Sequence, residues 1–266
     1  MPKWTKYFVG EKAFKVAEWV FDQFEVWDAH THIGKDKDGT LFSLNELMKD
    51  IKSCRIEKAV IFPLNDPYDQ SFSKPNDFVY NAYKSHKRKL IPFFRLNPKR
   101  KWKEEFEKRA SQGFMGIKLH PRSQHFDIAS DEAMKVYAKA EKHDLPVLIH
   151  TGHGLNEISV ELEMVVKDFP RLRLILGHSA FIDMDRVIRK MSKSRYVYFE
   201  TSATSVFDLY NLIDKADKTS IVYGSDVPYV SCDYSLESII HVASILNISM
   251  RDLGNILSGN LQKWFE

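Results

Sequence analysis

The feature that most constrains this chain is an alternation running along most of its length. Eight short runs rich in β-branched and aromatic residues are separated by longer stretches of helical periodicity. The runs are FEVWDAHTH (24–32), KAVIFPL (58–64), LIPFFRLNP (90–98), FMGIKLHP (114–121), PVLIHTG (146–152), LRLILGHSA (172–180), YVYFETSAT (196–204) and SIVYGSDVP (220–228). Most are near-continuous apolar stretches, as expected of strands covered by helices or closed on themselves. Between them, Ser43 with Glu46 three residues on gives a capping-box start. Further helical stretches begin at Ser130, at Asn156, after Asp183 and after Tyr234. Eight β/α units in a chain of 266 residues favour a (β/α)8 TIM barrel over an open doubly wound sheet. The segment 10–24 reads as an extra N-terminal helix, and 250–265 as one or two closing helices. The expectation is one barrel domain over residues 1–266.

Composition narrows the partners. A net charge of +3 is too small to imply a nucleic-acid surface. The basic clusters at 84–89 and 97–103 read as solvated faces. No window offers the roughly 18 apolar residues of a membrane span. Two cysteines, Cys54 and Cys232, match no zinc or redox spacing, and no secretory signal is evident. Together these point to a cytoplasmic protein with reduced thiols. Its expected partner is a small-molecule substrate, without nucleic acid or membrane; a homodimer is left open.

The chemistry lies at the strand ends. Six of the eight runs finish in polar residues: His30 and His32; Lys118 and His120; His150 and His153; His178; Glu200 with Thr201; and Asp226. In a barrel these ends meet at one rim, where the βα loops build the active site. His86, His125, His143 and His241 lack that placement and read as ordinary surface or core residues. A neutral imidazole ending a buried strand needs partners for both ring nitrogens. A divalent metal would unite several of them. The period of two puts His30 and His32 on one side of their strand, with Asp28 sharing that parity. His150 and Asp226 would complete the donors, leaving an open position for water. Such an N/O set suits zinc first, with iron, manganese or cobalt as alternatives, and one ion rather than two.

With these residues in place, the sequence resembles the amidohydrolase superfamily, in the branch of metal-dependent barrel hydrolases that also contains decarboxylases. The resemblance rests on DAHTHIG (28–34), GIKLHP (116–121), PVLIHTG (146–152), LILGHSA (174–180), YGSDVPY (223–229) and NILSGNLQKWF (255–265). It implies that His30, His32 and His150 are metal ligands. It implies that Asp226 binds the metal, activates its water, or both, and that His178 is a second-metal ligand if the site is binuclear or, if mononuclear, meets the metal-bound water or the substrate. Lys118 corresponds either to a carbamylated bridging lysine or, as the GIKLHP form favours, to a group that meets a substrate anion.

The expected reaction is hydrolysis of a C–O or C–N bond at a carbonyl, as in a lactone, ester or amide. A metal brings the pKa of bound water from 15.7 towards about 7. Asp226 would act as general acid–base, typically worth about 10²–10⁴-fold, and His178, if donating, would stabilise an oxyanion. Arg95, Lys118 and Arg122 are candidates for holding a substrate carboxylate, with His120 near them. Phe62, Phe94, Phe181, Phe207 and Tyr229 are candidates for an apolar wall. The alternative reaction is metal-dependent, non-oxidative decarboxylation of an aromatic or unsaturated acid.

Overall fold

The computed structural model describes residues 19–66, 69, 71–191 and 194–265. Eight parallel strands follow one another around a sheet in chain order. They are β1 (Val26–Lys35), β2 (Ile56–Pro63), β3 (Leu90–Arg95), β4 (Gly116–Leu119), β5 (Val147–His150), β6 (Leu174–Gly177), β7 (Val197–Glu200) and β8 (Ile221–Val222). A two-residue strand, Leu41–Phe42, folds back antiparallel on the end of β1. The helices α1 (Leu44–Ser53), α2 (Ser73–Ser85), α3 (Lys103–Ser111), α4 (Asp131–Lys142), α5 (Ser159–Asp168), α6 (Met184–Met191), α7 (Val206–Lys215) and α8 (Cys232–Ile245) alternate with the strands. The expected barrel is therefore present. Most of the expected N-terminal helix lies outside the described residues, but its last turn, 19–23, is helical.

Local chemistry explains several boundaries. The Ser43–Glu46 capping box forms at α1. Helix α8 starts earlier than the sequence implied, because the Ser231 hydroxyl accepts the Tyr234 N–H. After α8 the chain closes with Met250–Gly254, a π-helical turn over Asn255–Gly259 and Asn260–Gln262. Asn260 is fully buried and donates to the carbonyls of Lys218 and Ile221, which pins the entry to β8.

The barrel interior is filled by Trp27, Ala29, Val60, Phe62, Ile91, Phe93, Leu148, Ile175, Tyr198, Val222 and Leu261. At the N-terminal ends of the strands Trp264 stacks on Tyr198 at 4.0 Å, and Phe265 packs near Phe93. That end is closed by side chains, so the opposite rim is left for a site.

Closure comes from β8 meeting β1. Ala29 donates to the Tyr223 carbonyl, Asp226 to that of His30, and His32 to that of Val227. The β1–β2 register slips between Asp28 and Thr31, which marks a bulge. The expected shared parity of Asp28, His30 and His32 is corrected by it. Trp27 and Ala29 point into the barrel before the bulge, whereas His30 and His32 line the rim cavity after it. Asp28 instead accepts the backbone N–H groups of His30 and Ser225, at 2.9 and 3.0 Å, across the seam. Burial pushes its carboxyl up to about 7.

Cys54 and Cys232, 178 residues apart, are joined as a disulfide with Cα atoms 6.3 Å apart, so the expected free thiols are not what the structure holds. Among the described residues no helix is long and apolar enough to cross a membrane.

The seam makes a prediction. Asp28→Ala leaves two buried N–H groups without an acceptor and should cost ~1–3 kcal/mol per group lost. Asp28→Asn keeps an accepting oxygen and removes a buried charge, so it should unfold close to wild type. Urea midpoints of both variants check this.

Candidate active site

The C-terminal rim holds a cavity of about 350 Å³ lined by His30, His32, Asp36, Arg95, Lys118, His120, Arg122, His150, His178, Asp226 and Tyr229, among others. Residues at the ends of β1, β4, β5, β6 and β8 thus meet, as the strand-end pattern implied, joined by Arg95 of β3, while Glu200 of β7 lies outside the lining.

At its floor, the Asp226 Oδ1 lies 2.9 Å from the His32 Nε2 and 3.2 Å from the His30 Nε2. These three donor atoms are within 4.8 Å of one another. The other nitrogen of His32, Nδ1, is buried without a partner. Two imidazole nitrogens aimed at one carboxylate oxygen form a donor set that fits a divalent transition ion. Burial, with Lys118 second, pulls both imidazoles well below their usual pKa, so the rings are neutral and their lone pairs free to coordinate. Burial also pushes the Asp226 carboxyl up. Asp226 and His178 both sit in left-handed backbone, at φ 67° and 65°. Non-glycine residues are held there at ~1–3 kcal/mol each, which aims their side chains where regular strand geometry would not.

His150 is placed differently from His30 and His32. Its ring is stacked on His120, with centroids 3.9 Å apart, and lies edge-on to His178 at 4.7 Å. Its Nε2 faces the His153 carbonyl at 3.2 Å. The cavity therefore gathers His30, His32 and Asp226 into one donor cluster and sets His150 beside it. Burial brings His150 down to about 2 and His178 to about 4, so both are neutral at pH 7.

Lys118 is fully enclosed, 3.0 Å from the His30 Nε2 and over the Phe62 ring. Burial brings its amine down to about 7. Arg95 is also fully buried. It donates to the Pro63 carbonyl and the Ser123 hydroxyl, and its Nε has no partner. Burial lowers its guanidinium only to about 10, with Asp36 opposing that shift. Asn76 grips the Arg95 backbone through both its amide atoms, at 2.8 Å each.

Of the expected aromatic wall, Tyr229 lines the cavity and donates its hydroxyl to Asp36. Phe62 supports His32 edge-on from beneath, Phe94 is core, and Phe207 is exposed on α7. One buried residue carried no assigned role in the sequence reading: Glu200, at the end of β7. Its carboxylate is 2.7 Å from the His30 Nδ1. The signal was its strand-end position, but a lone glutamate has no spacing motif to mark it.

Known proteins agree with this architecture. The chain resembles a probable 2-pyrone-4,6-dicarboxylic acid hydrolase from Acinetobacter baumannii, solved with citric acid bound (TM-score 0.65, 13% identity, 91% of this chain and 99% of that one). It also resembles 2,6-dihydroxybenzoate decarboxylase from Rhizobium (0.70, 16%, 91% and 98%). A third likeness is to 5-carboxyvanillate decarboxylase from Novosphingobium aromaticivorans, solved with manganese (0.69, 14%, 91% and 96%). These identities speak to the fold alone. No curated protein matches the sequence. The amidohydrolase family model matches residues 67–265, from the end of β2 to the closing helices. A barrel rim that collects imidazoles and a carboxylate, within a chain matched over three-quarters of its length, places this protein in the amidohydrolase family of enzymes.

Proposed function

We propose that this enzyme is a metal-dependent hydrolase that cleaves a C–O or C–N bond at a carbonyl of a small anionic substrate. The observation that carries the substrate's charge is Arg95. A buried guanidinium with an unpartnered Nε, and no ion pair among the described residues, is costly. It shares its cavity with the His30–His32–Asp226 cluster, so a substrate carboxylate would satisfy the one while its carbonyl meets the other. Guanidinium–carboxylate pairing is planar and bidentate, which also orients the substrate.

His30, His32 and Asp226 would hold a single ion, for which we propose zinc, and His150 would join them by releasing the His153 carbonyl. When bound, the ion supplies a Lewis acid and a water made acidic enough to lose its proton near neutral pH. Asp226 would accept a proton from such a water on a carboxylate oxygen and would pass it to the leaving group. His178, neutral at the same rim, exchanges protons with the substrate on the other side. Lys118 and His120 contact the substrate near its anionic end, and Arg122 reinforces the cationic mouth. We propose a cytoplasmic location on the rarity of cysteine in the sequence.

Decarboxylation is the second reading, because the same Arg95 would grip an aromatic acid and two of the similar structures are aromatic-acid decarboxylases. A panel of carboxylated lactones, esters, amides and aromatic acids, given to metal-loaded enzyme, separates the two. Titratable acid release is expected, whereas carbon dioxide release would replace hydrolysis with the lyase reading.

Two quantitative outcomes follow. Metal content per chain should collapse in His30→Ala and Asp226→Ala with circular dichroism unchanged, and fall less in His150→Ala. Arg95→Met should lower kcat/KM by on the order of 10²-fold, mainly through KM, because it removes one partner of a desolvated charge pair. In wild type KM should rise as the pH passes about 7, where the Lys118 amine loses its charge, and rise again towards pH 10, where the guanidinium begins to lose its proton.

A further inference from the structure

Glu200 is a fully buried carboxylate beside the donor cluster to which the reaction above gives no part. Its surroundings are built around it. One carboxylate oxygen accepts the Ser202 N–H. The other accepts the His178 N–H at 3.2 Å and the Ser202 hydroxyl at 2.8 Å, and lies 2.7 Å from the His30 Nδ1. Gly224 makes room for it: a Cβ there would stand 2.1 Å from the Glu200 Oε1. The glycine of the GSD motif is thus required by a side chain two strands from His30.

Hydrogen-bond direction then decides the state of two imidazoles. Both Glu200 oxygens already accept backbone N–H groups, and the one facing His30 accepts the Ser202 hydroxyl as well, so the ring hydrogen of His30 belongs on Nδ1. The far side of the ring agrees. Its Nε2 accepts from the Lys118 amine at 3.0 Å; the Asp226 carboxylate oxygen, 3.2 Å away, makes only a charge contact with that nitrogen and no hydrogen bond. His178 is fixed the same way at one remove. Its Nδ1 faces the Ser202 carbonyl at 3.1 Å, and a carbonyl can only accept. The Ser202 Oγ, 3.0 Å from the same nitrogen, has already given its own proton to Glu200 and accepts as well.

We propose that Glu200 is a positioning residue that, directly and through Ser202, holds His30 and His178 together in the Nδ1–H tautomer with both Nε2 atoms bare. His30 is then ready to coordinate before any ion arrives. His178, neutral, presents a lone pair and accepts a proton from substrate or water, so the oxyanion-donor role expected from the sequence does not apply to its resting state. Glutamine cannot substitute: an amide NH2 in place of either oxygen would point at a backbone N–H. A carboxylate fixing a ligating histidine is typically worth ~10–100-fold in metal affinity. The tautomers stand without the hydrolase reading; the affinity effect rests on it.

The test uses full-length, ¹⁵N-histidine-labelled protein, treated with chelator and then titrated with Zn²⁺. Long-range ¹H–¹⁵N spectra of the metal-free wild type should show Nδ1–H patterns for two rings, assigned by their loss in His30→Asn and His178→Asn. In Glu200→Gln the His30 pattern should move towards Nε2–H, and zinc affinity by chelator competition should fall ~10–100-fold at unchanged stoichiometry. An Nε2–H pattern for His30 in the wild type overturns the proposal, and this holds even if the variant does not fold. So does a Glu200→Gln protein with unaltered tautomer and affinity. Loss of a second ion in that variant would instead make Glu200 a ligand, since its carboxylate also lies within 4.8 Å of His30 and His178 donor atoms. If the wild type binds no zinc, the hydrolase reading fails while the spectra still decide the tautomers.

Discussion

The backbone bonds that close β8 onto β1 are the constraint on which the site depends. They join residues almost 200 positions apart and place Asp226 against His32. The bulge in β1 lies at this seam, so one local irregularity both closes the barrel and turns His30 and His32 from the sheet's regular alternation towards the rim. Asp28 holds the bulge by accepting an N–H from each side. Without closure, the donors that face one another here would be dispersed around an open sheet edge.

The second constraint is electrostatic. The rim buries Arg95, Lys118, Glu200 and Asp226 together with His30, His32, His150 and His178. In low dielectric such a concentration is destabilising unless each group is matched, and several are not matched within the protein. The cost is borne by a well-packed interior and by a complete ring of β ladders below. What the fold gains is a set of groups whose protonation is already shifted towards exchange: Lys118 near 7, and imidazoles that stay neutral. Left-handed backbone at His178 and Asp226 belongs to the same pattern, with strain located where side chains must be aimed.

The sequence determined the architecture. Eight apolar runs with helical spacers left little besides a closed parallel barrel, and polar residues at the run ends marked which rim would carry chemistry. Helix α1, with its capping box, announced its start; α2 and α3 follow Phe72 and Trp102 without a capping side chain and so gave no such signal. His30, His32, Lys118, His120, His150, His178, Arg95 and Asp226 were all readable as one rim, because strand-end position is a one-dimensional property.

Only the tertiary structure decided how those residues face one another. A period-of-two reading cannot see a bulge, so Asp28 was expected beside the histidines rather than across the seam. Ring orientation set His150 against His120 and His153 instead of within the donor cluster. Glu200, the Gly224 that admits it and the disulfide between Cys54 and Cys232 are meetings of residues far apart in the chain. Hydrogen-bond direction, hence which imidazole nitrogen is bare, depends on atoms about 3 Å apart, and sequence spacing carries no information at that scale.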